Sequence, residues 1–315
     1  MALIRFTART HGAAQVVGYN KAAMLFFMLR EAVGGPAFDE GVRRFWREHR
    51  FSVASWDDLK GAFARASGLD LASFFDQWLA RPGAPELRIT HAQSVPTIAG
   101  WRLNVSLAQG APAYSLSVPL AVRTARGEIL RRVDLAGESD TVMLEVPDEP
   151  LAVVLDPAFQ LFRRLAQDEA PPILREALLT GSPMLFALSE PIQLVARELA
   201  GRLFEGSGSA RSTVPVTLVV GLHADIDHWL ASSGLAPRPA ALASAKGSAQ
   251  VWTARAGDDR TLVLVSVRDA ASLRALVRPL PHYGRESWLV FDGARAIERG
   301  VWPARPQAWE LKAAR

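Results

Sequence analysis

The stretch "VVGYNKAAMLFFMLREAVGG" (Val16 to Gly35) joins a polar pair, Tyr19 and Lys21, to a run of apolar residues. Apolar side chains then recur three and four positions apart, at Ala22, Leu25, Phe26, Leu29 and Val33. This spacing predicts a helix with one buried face. The helix is expected to end at Gly34-Gly35-Pro36, because glycine permits the turn and proline cannot continue the helix. Tyr19 and Lys21, at the start of this helix, are therefore candidate active-site residues.

Three more helical patterns follow this stretch. The second has apolar and aromatic positions at helical spacing: Phe38, Val42, Phe45, Trp46 and His49. Ser55 is expected to cap a third helix, with Asp57 and Asp58 in its first turn. Asp70 is expected to cap a fourth, whose core face is Leu71, Phe74, Phe75, Trp78 and Leu79. Residues 1–82 are therefore predicted to form an all-helical unit.

The pattern changes after "RPGAPEL" (Arg81 to Leu87), where two prolines and a glycine mark a boundary. Apolar and polar residues alternate from there on, in segments separated by short turns. The segments are "ELRITHA", "GWRLNVSL", "AYSLSVPLAVRT", "EILRRVDL", "DTVMLEV" and "LAVVLDP". Six short strands at this spacing predict an antiparallel β-sandwich over residues 83–160.

A second boundary opens at Pro171-Pro172, and two helical patterns predict a helical connector over residues 171–206. "EGSGSARST" has the composition of a flexible joint. Strand-like runs ("VPVTLVVG", "AQVWTAR", "TLVLVSV", "SWLVF") then alternate with helical patterns. This alternation predicts a small α/β domain with a partly parallel sheet over residues 213–315. The fold class expected for the whole chain is multidomain α+β.

Composition excludes several classes of function. The 36 basic and 32 acidic residues leave a net charge of +4 with no run of like charges, so no nucleic-acid partner is expected. Without cysteine, the chain has no disulfides, thiolate zinc sites or thiol nucleophiles. No stretch reaches the ~18 apolar residues of a membrane helix, and the first residues lack a signal-peptide core. A soluble chain is expected, while its compartment stays open.

One long segment carries a family resemblance. "GYNKAAMLFFMLREAVGGPAFDEGVRRFWREHRFSVASWDDLKGAFARASGLDLASFFDQWLARPGAPEL" (Gly18 to Leu87) resembles the zinc aminopeptidases of the aminopeptidase N type, the gluzincins of peptidase family M1. The shared features are a Tyr-x-Lys-Gly-Ala-like helix start, a glycine turn, a Ser/Thr-x-Asp-Asp-like cap and a proline-rich exit. Ala22 departs from the pattern, since glycine is usual there. The resemblance covers about the first quarter of the chain and continues into the sandwich.

The resemblance implies a fold and a role for Tyr19. Residues 1–82 would be the helical rear half of a thermolysin-like catalytic domain, and the Tyr19 hydroxyl would stabilise the oxyanion formed when water attacks a zinc-bound peptide carbonyl. Lys21 is expected to have a structural role. The family substrate is a peptide, shortened from its N-terminus, and the full-length parent is compatible with export to the periplasm.

The metal site of that family has no counterpart in this sequence. Zinc there is held by H-E-x-x-H and a later glutamate. None of the six histidines begins such a motif, and the amine-binding glutamate motif is missing as well. The chain is therefore expected to be a C-terminal fragment that binds no zinc and is inactive alone, unless another chain supplies the missing half. The alternative is a non-catalytic binding or scaffold protein that presents the sandwich and the α/β domain to a peptide or protein.

Two further clusters have structural interpretations that we favour. In "HADIDH" (His223 to His228) the histidines are five apart, which does not place both on one helix face, and the acids suit a first helical turn. "PLPHYGRESWLVFDG" (Pro279 to Gly293) places His282, Tyr283 and Arg285 at a helix-to-strand joint. A small binding site is conceivable there. The favoured interpretation is a turn in which Tyr283 packs and Gly284 takes a positive φ.

Overall fold

The computed structural model describes residues 1–6, 17–179, 183–204, 215–257 and 260–312. The predicted flexible joint "EGSGSARST" lies outside these residues. The chain divides into two compact units. The first comprises Met1–Glu169 and Pro306–Arg315, and the second comprises Ala170–Arg305. The structure contains helices and several sheets, so the fold is mixed α and β as expected.

Four helices form one part of the first unit: α1 (Ala22–Val33), α2 (Gly35–His49), α3 (Trp56–Ser67) and α4 (Ala72–Ala80). The buried face of α1 is confirmed at Leu25 and Leu29, which are fully buried. Gly34 ends α1 with a φ of 80°, a backbone conformation that residues other than glycine rarely adopt. Asp70 accepts a hydrogen bond of 2.9 Å from the amide of Ala72, the first residue of α4, but the N-cap position is Leu71, one residue later than predicted.

The predicted inward face of α2 is wrong at two positions. Val42 and Trp46 are exposed, and the one fully buried residue of this helix is Gly41. A Cβ on Gly41 would lie 2.4 Å from the Phe63 ring, and the rings of Phe38 and Phe63 are 5.2 Å apart. The close approach of the Gly41 backbone to the Phe63 ring therefore decides which face of α2 is buried. Apolar spacing alone does not reveal it, because glycine carries no side chain to count.

The N-terminus of α3 has a complete capping box. The Asp58 amide donates to the Ser55 hydroxyl, and the Ser55 amide donates to the Asp58 carboxylate at 2.8 Å. These bonds hold the pKa of Asp58 below its ordinary value. We expect Ser55→Ala to lower the free energy of unfolding by about 1 kcal/mol. Urea denaturation followed by circular dichroism measures this. Ser73→Ala, on the exposed surface of α4, is the matched control and should leave stability unchanged or slightly raised.

Strands in two antiparallel sheets complete the first unit. The six predicted strands are present: β1 (Arg88–Thr97), β2 (Gly100–Ala108), β3 (Leu116–Thr124), β4 (Gly127–Leu135), β5 (Ser139–Val146) and β6 (Pro150–Leu155). One sheet has the order β1-β2-β5, and the other contains β6-β3-β4. Leu103, Leu120 and Val153, one from each of three strands, belong to a single buried core that also contains residues of α1, α3 and α4.

The last strand of this unit, β13 (Ala308–Glu310), comes from the far end of the chain. It pairs with β6 in antiparallel register, with Trp309 opposite Val153, and so extends the second sheet to β13-β6-β3-β4. Gln307 contacts β1, because its side-chain oxygen accepts from the Ile89 amide at 2.9 Å. The sequence-based division assigned these residues to the α/β domain. In the structure they lie with the sheets of the first unit.

The second unit contains a six-stranded sheet. Its strands are β7 (Met184–Ala187), β8 (Val216–Leu222), β9 (Ala249–Arg255), β10 (Thr261–Val267), β11 (Trp288–Asp292) and β12 (Arg295–Gly300). Their order in the sheet is β12-β11-β9-β10-β8-β7. Strands β7, β8 and β10 are parallel, whereas β9, β11 and β12 join in antiparallel register. Two of these strands, β7 and β12, were not predicted from the sequence.

Helices cover both faces of this sheet. The helices are α5 (Leu174–Leu178), α6 (Gln193–Phe204), α7 (His223–Ser232), α8 (Ala240–Ala243) and α9 (Ala270–Leu276). Leu218 and Val220 of β8 share a core with α5, α6 and α9. Val219, between them, belongs to the core of α7 and α8. Residues 171–206, predicted as a separate connector, thus contribute helices to the core of the α/β sheet. Among the described residues, no helix has the length and apolar character needed to cross a membrane.

Candidate functional site

Tyr19 lies in a single π-helical turn, Val17–Lys21, that leads directly into α1. Its side chain is 54% exposed. The hydroxyl makes no hydrogen bond to any residue in the described parts of the chain. Short π-helical turns are rare and occur frequently at functional sites. The side chain is therefore a free hydrogen-bond donor on the surface of the first unit.

Phe6 holds the Tyr19 ring from the side. The two rings meet edge to face with their centroids 5.7 Å apart. Gly18 makes room for this contact, because a Cβ there would lie 2.5 Å from the Phe6 ring. Such an edge-to-face pair restricts the tyrosine ring without using its hydroxyl. Nothing in the spacing of the sequence indicated a role for Phe6.

Lys21 has a structural position, as expected. Its side chain is 1% exposed, and its ammonium group donates a 2.7 Å hydrogen bond to the Arg81 carbonyl at the end of α4. The same group lies 5.5 Å from the centre of the Phe162 ring. Burial, with a smaller contribution from the Arg81 charge, lowers the pKa of Lys21. Lys21 thus ties the start of α1 to the end of α4 and is turned away from solvent, unlike Tyr19.

Several large apolar side chains of the helical part are exposed. Phe27 of α1 is 49% exposed, Trp46 of α2 is 62% exposed, and Phe51, in the loop that follows, is 95% exposed. Trp46 and Phe51 contact each other, with ring centroids 6.3 Å apart. Leu29 is buried within the chain's own core. The helices therefore have apolar surface that the described residues do not cover, and such surface is typical of binding faces.

The histidines and acids of "HADIDH" have separate partners. The Asp225 carboxylate accepts a hydrogen bond from the Ser189 hydroxyl, and Asp227 pairs with Arg238 at 2.9 Å. Within the described residues, no three histidine, cysteine or acidic side chains are grouped so that they could hold a metal ion. The structural interpretation of this segment fits these contacts.

A serine–histidine pair that the sequence did not reveal lies at the end of β10. His223 Nδ1 is 2.7 Å from the Ser266 hydroxyl, the distance found in nucleophile–base pairs. Ser266 is fully buried, however, and it also accepts from Arg238 at 2.9 Å. Burial and the charge of Arg238 lower the pKa of His223. A buried hydroxyl with two partners cannot reach a substrate, so this pair anchors the loop that carries Arg238.

The segment after α9, Pro279 to Gly293, agrees only in part with the structure predicted from the sequence. Tyr283 packs edge to face on Phe291 at 5.6 Å, as expected. The prediction of a positive φ at Gly284 is wrong, because its φ is −57°. A Cβ on Gly284 would lie 3.2 Å from Leu178 and 3.5 Å from the Arg175 Cβ. Glycine thus avoids a tight contact where this loop approaches α5, which a small shift of the Leu178 side chain would otherwise have to relieve.

Known proteins match mainly the helical part of the first unit. Residues 9–78 match the profile of the Peptidase family M1 domain. Aminopeptidase N of Lactococcus lactis subsp. lactis is 39% identical over 67 residues, which are 21% of this chain and 8% of that protein. Aminopeptidase N of Caulobacter vibrioides is 34% identical over 74 residues, covering 24% of this chain and 8% of that protein. The chain thus spans a small part of the length of these relatives.

A solved structure of aminopeptidase A from Legionella pneumophila, in complex with aspartic acid, is also similar to this chain. The likeness covers 60% of this chain and 21% of that one, with 17% sequence identity and a TM-score of 0.40. A likeness of this size carries no argument about the arrangement of the units or about the site. The sequence match over residues 9–78 is the informative comparison.

Proposed function

Because residues 9–78 match the Peptidase family M1 domain and are similar to aminopeptidase N, we propose that the first unit supplies the rear part of a zinc aminopeptidase catalytic domain. The observation that carries this proposal is the position of Tyr19 within the matched segment, on an exposed turn with a free hydroxyl. The substrate class is a peptide with a free N-terminus. The two antiparallel sheets of the first unit and the α/β unit accompany this segment, and we assign them no catalytic role.

Tyr19 would donate a hydrogen bond to the carbonyl oxygen of the scissile peptide bond as negative charge develops on it. A fixed donor acts on the transition state more than on the substrate, because the charge is greater there. The contact with Phe6 supports this role, since it limits the movement of the tyrosine ring before the substrate binds. Lys21, buried against the end of α4, would maintain the turn that positions Tyr19.

Zinc belongs to the chemistry of the family, and the residues of this chain do not fit it. The sequence has no H-E-x-x-H, and the part of the chain described by the structure contains no cluster of three suitable ligands. We therefore derive no step through a metal from these residues. In the proposal, the metal ligands and the general base come from residues outside these 315, and the chain alone is inactive.

The exposed apolar side chains of α1 and α2 support an interface with those missing residues. Phe27 and Trp46 lie in the segment that matches the family, and both are about half exposed or more. Exposed apolar side chains that form a contiguous patch mark a face that another part of a protein covers, and the contact of Trp46 with Phe51 forms part of such a patch. The proposed cover is the zinc-binding half of the catalytic domain, in the same longer protein or in another chain.

A graft tests the proposed function. The segment of Lactococcus lactis aminopeptidase N that corresponds to residues 9–78 of this chain is replaced by the residues found here. We expect the purified graft to bind zinc and to hydrolyse leucine p-nitroanilide with a kcat within about tenfold of its parent, since the donor at Tyr19 is kept. The isolated 315-residue chain, given zinc, is expected to show no turnover.

Two outcomes would contradict the proposal. A graft that melts cooperatively and binds one zinc per chain, yet shows no turnover, would mean that the segment cannot complete the catalytic domain. Chelator-sensitive turnover by the isolated chain would mean that the metal site lies within it. Circular dichroism and metal analysis of each protein separate these outcomes from a failure to fold.

A further inference from the structure

A concavity in the second unit is surrounded by basic side chains. Its volume is about 440 Å³, within the range of small-molecule sites. Four basic residues line it: Arg175, Arg202, His282 and Arg285. No acidic side chain is among the lining residues that the structure describes. The lining of the concavity is therefore basic in character, which favours an anionic ligand.

Two of the arginines keep their guanidinium groups available. Arg175 and Arg285 are both exposed, and neither forms an ion pair or side-chain hydrogen bond with any residue in the described parts of the chain. Other arginines of the same unit are engaged, for example Arg255 with Glu176 at 2.9 Å and Arg238 with Asp227 at 2.9 Å. Two exposed arginines without acidic partners on one concavity leave positive charge that an anionic ligand can neutralise.

The backbone fixes these two arginines in one place. The Arg175 amide donates to the Gly284 carbonyl at 2.8 Å, and the Leu174 amide donates to the Glu286 carbonyl at 2.9 Å. These two bonds bind the start of α5 to the loop that carries Arg285. Because a Cβ on Gly284 would meet Leu178 at 3.2 Å, the loop has little freedom to move towards α5. The backbone positions from which the two arginine side chains extend are thus held together by these bonds.

The other side chains that line the concavity are apolar. They are Leu178, Leu179, Leu203 and Pro281, which we call the apolar floor. A lining that combines basic and apolar side chains fits a ligand with an anionic head and an apolar body. Arginine matches phosphate geometry with paired N–H donors, and a phosphate monoester carries nearly two negative charges near neutral pH. We propose that this concavity binds a small organic phosphate monoester, with the phosphate on Arg175 and Arg285 and the organic group on the leucines.

Calorimetric titration of the full chain at physiological ionic strength tests the proposal, with phenyl phosphate and methyl phosphate as probes. Phenyl phosphate is expected to bind at one site and more tightly than methyl phosphate by about tenfold, because only its ring covers the leucine floor. Arg175→Gln/Arg285→Gln is expected to weaken phenyl phosphate binding by at least about tenfold. Arg274→Gln/Arg295→Gln removes the same charge from exposed positions outside the concavity and should change affinity less than about twofold.

Three results would overturn the proposal. The first is equal weakening in both double variants, which would indicate attraction to net charge only. The second is equal affinity for the two probes, which would exclude the apolar floor. The third is binding to phosphatidylcholine vesicles doped with phosphatidic acid in the absence of phenyl phosphate binding, which would assign the site to a membrane surface. Circular dichroism of each variant shows that the unit is folded.

Discussion

Replacing Arg163 with leucine is expected to lower the free energy of unfolding by about 3–5 kcal/mol. The guanidinium of Arg163 donates to Asp156 at 3.0 Å and to both oxygens of Glu169, at 2.7 and 2.8 Å. All three side chains are buried. Removing the single cation leaves two carboxylates in a site from which water is excluded. The cost therefore comes from the charges left unpaired more than from the lost bonds.

The loss should become smaller as the pH falls. Burial by itself raises the pKa of Glu169, but the hydrogen bonds and charge of Arg163, with the amides of Ala166 and Gln307, lower it below the ordinary glutamate value. A pKa below that of the unfolded chain stabilises the parent protein above a pH of about 4.3, and this contribution is lost as the pH falls through the folded value. The leucine variant lacks that contribution, so the two stabilities converge in acid.

Chemical denaturation between neutral pH and about pH 4 measures both effects. Arg164→Leu is the matched control, because Arg164 is the next residue and its ion pair with Glu86 is exposed to solvent. We expect this control to change stability by less than about 1 kcal/mol. A leucine variant at position 163 that is as stable as the control at neutral pH would show that the buried network contributes little.

Replacing Tyr19 with phenylalanine in the aminopeptidase graft is expected to lower kcat by about two to three powers of ten, if the proposed function holds. The change removes one oxygen atom and keeps the ring and its contact with Phe6. KM for leucine p-nitroanilide should change little, because the hydroxyl acts mainly on the charge that develops in the transition state. Steady-state kinetics of the graft and its variant, at equal zinc content, measure the changes in kcat and KM separately.

Asn20→Ala is the control for this change. Asn20 is the next residue in the same turn and is also exposed, so its replacement tests whether any alteration of the turn reduces the rate. A loss of kcat in the alanine variant equal to that in the phenylalanine variant would assign the effect to the backbone of the turn. Full activity of the phenylalanine variant would exclude the hydroxyl from the chemistry.

Local sequence signals gave most of the helices and strands of the first unit. Ser55 at the N-cap of α3 and Asp70 just before α4 mark helix starts because their side chains accept hydrogen bonds from amides of the first turn. The alternation of residues 88–155 predicted six strands, because successive side chains of a strand point to opposite faces of a sheet. The sequence did not predict that Val42 and Trp46 of α2 are exposed. The backbone of Gly41 packs against the Phe63 ring, and a pattern of apolar side chains does not include a contact made by a glycine backbone.

The candidate sites also differ in whether the sequence could reveal them. Tyr19 was identified from a resemblance over a continuous segment, and its role stays a prediction. The pairs His223–Ser266 and Arg175–Arg285 join residues 43 and 110 positions apart. No motif links residues so distant in the sequence, because each pair is formed by neighbouring elements of a folded unit. Charge counts could not find the basic concavity either, since acids elsewhere in the chain balance its arginines.

The sequence by itself determined most of the helices, the six strands of the first unit before β13, the four apolar strands of the α/β unit and the resemblance of residues 9–78 to peptidase family M1. These features depend on periodicity, caps and residue identity, which are local properties. Tertiary structure alone decided where the short strands β7, β12 and β13 pair, and which arginines are buried with acids or left exposed. Strand pairing and burial depend on which distant element a strand or helix packs against, and local sequence patterns do not specify that element.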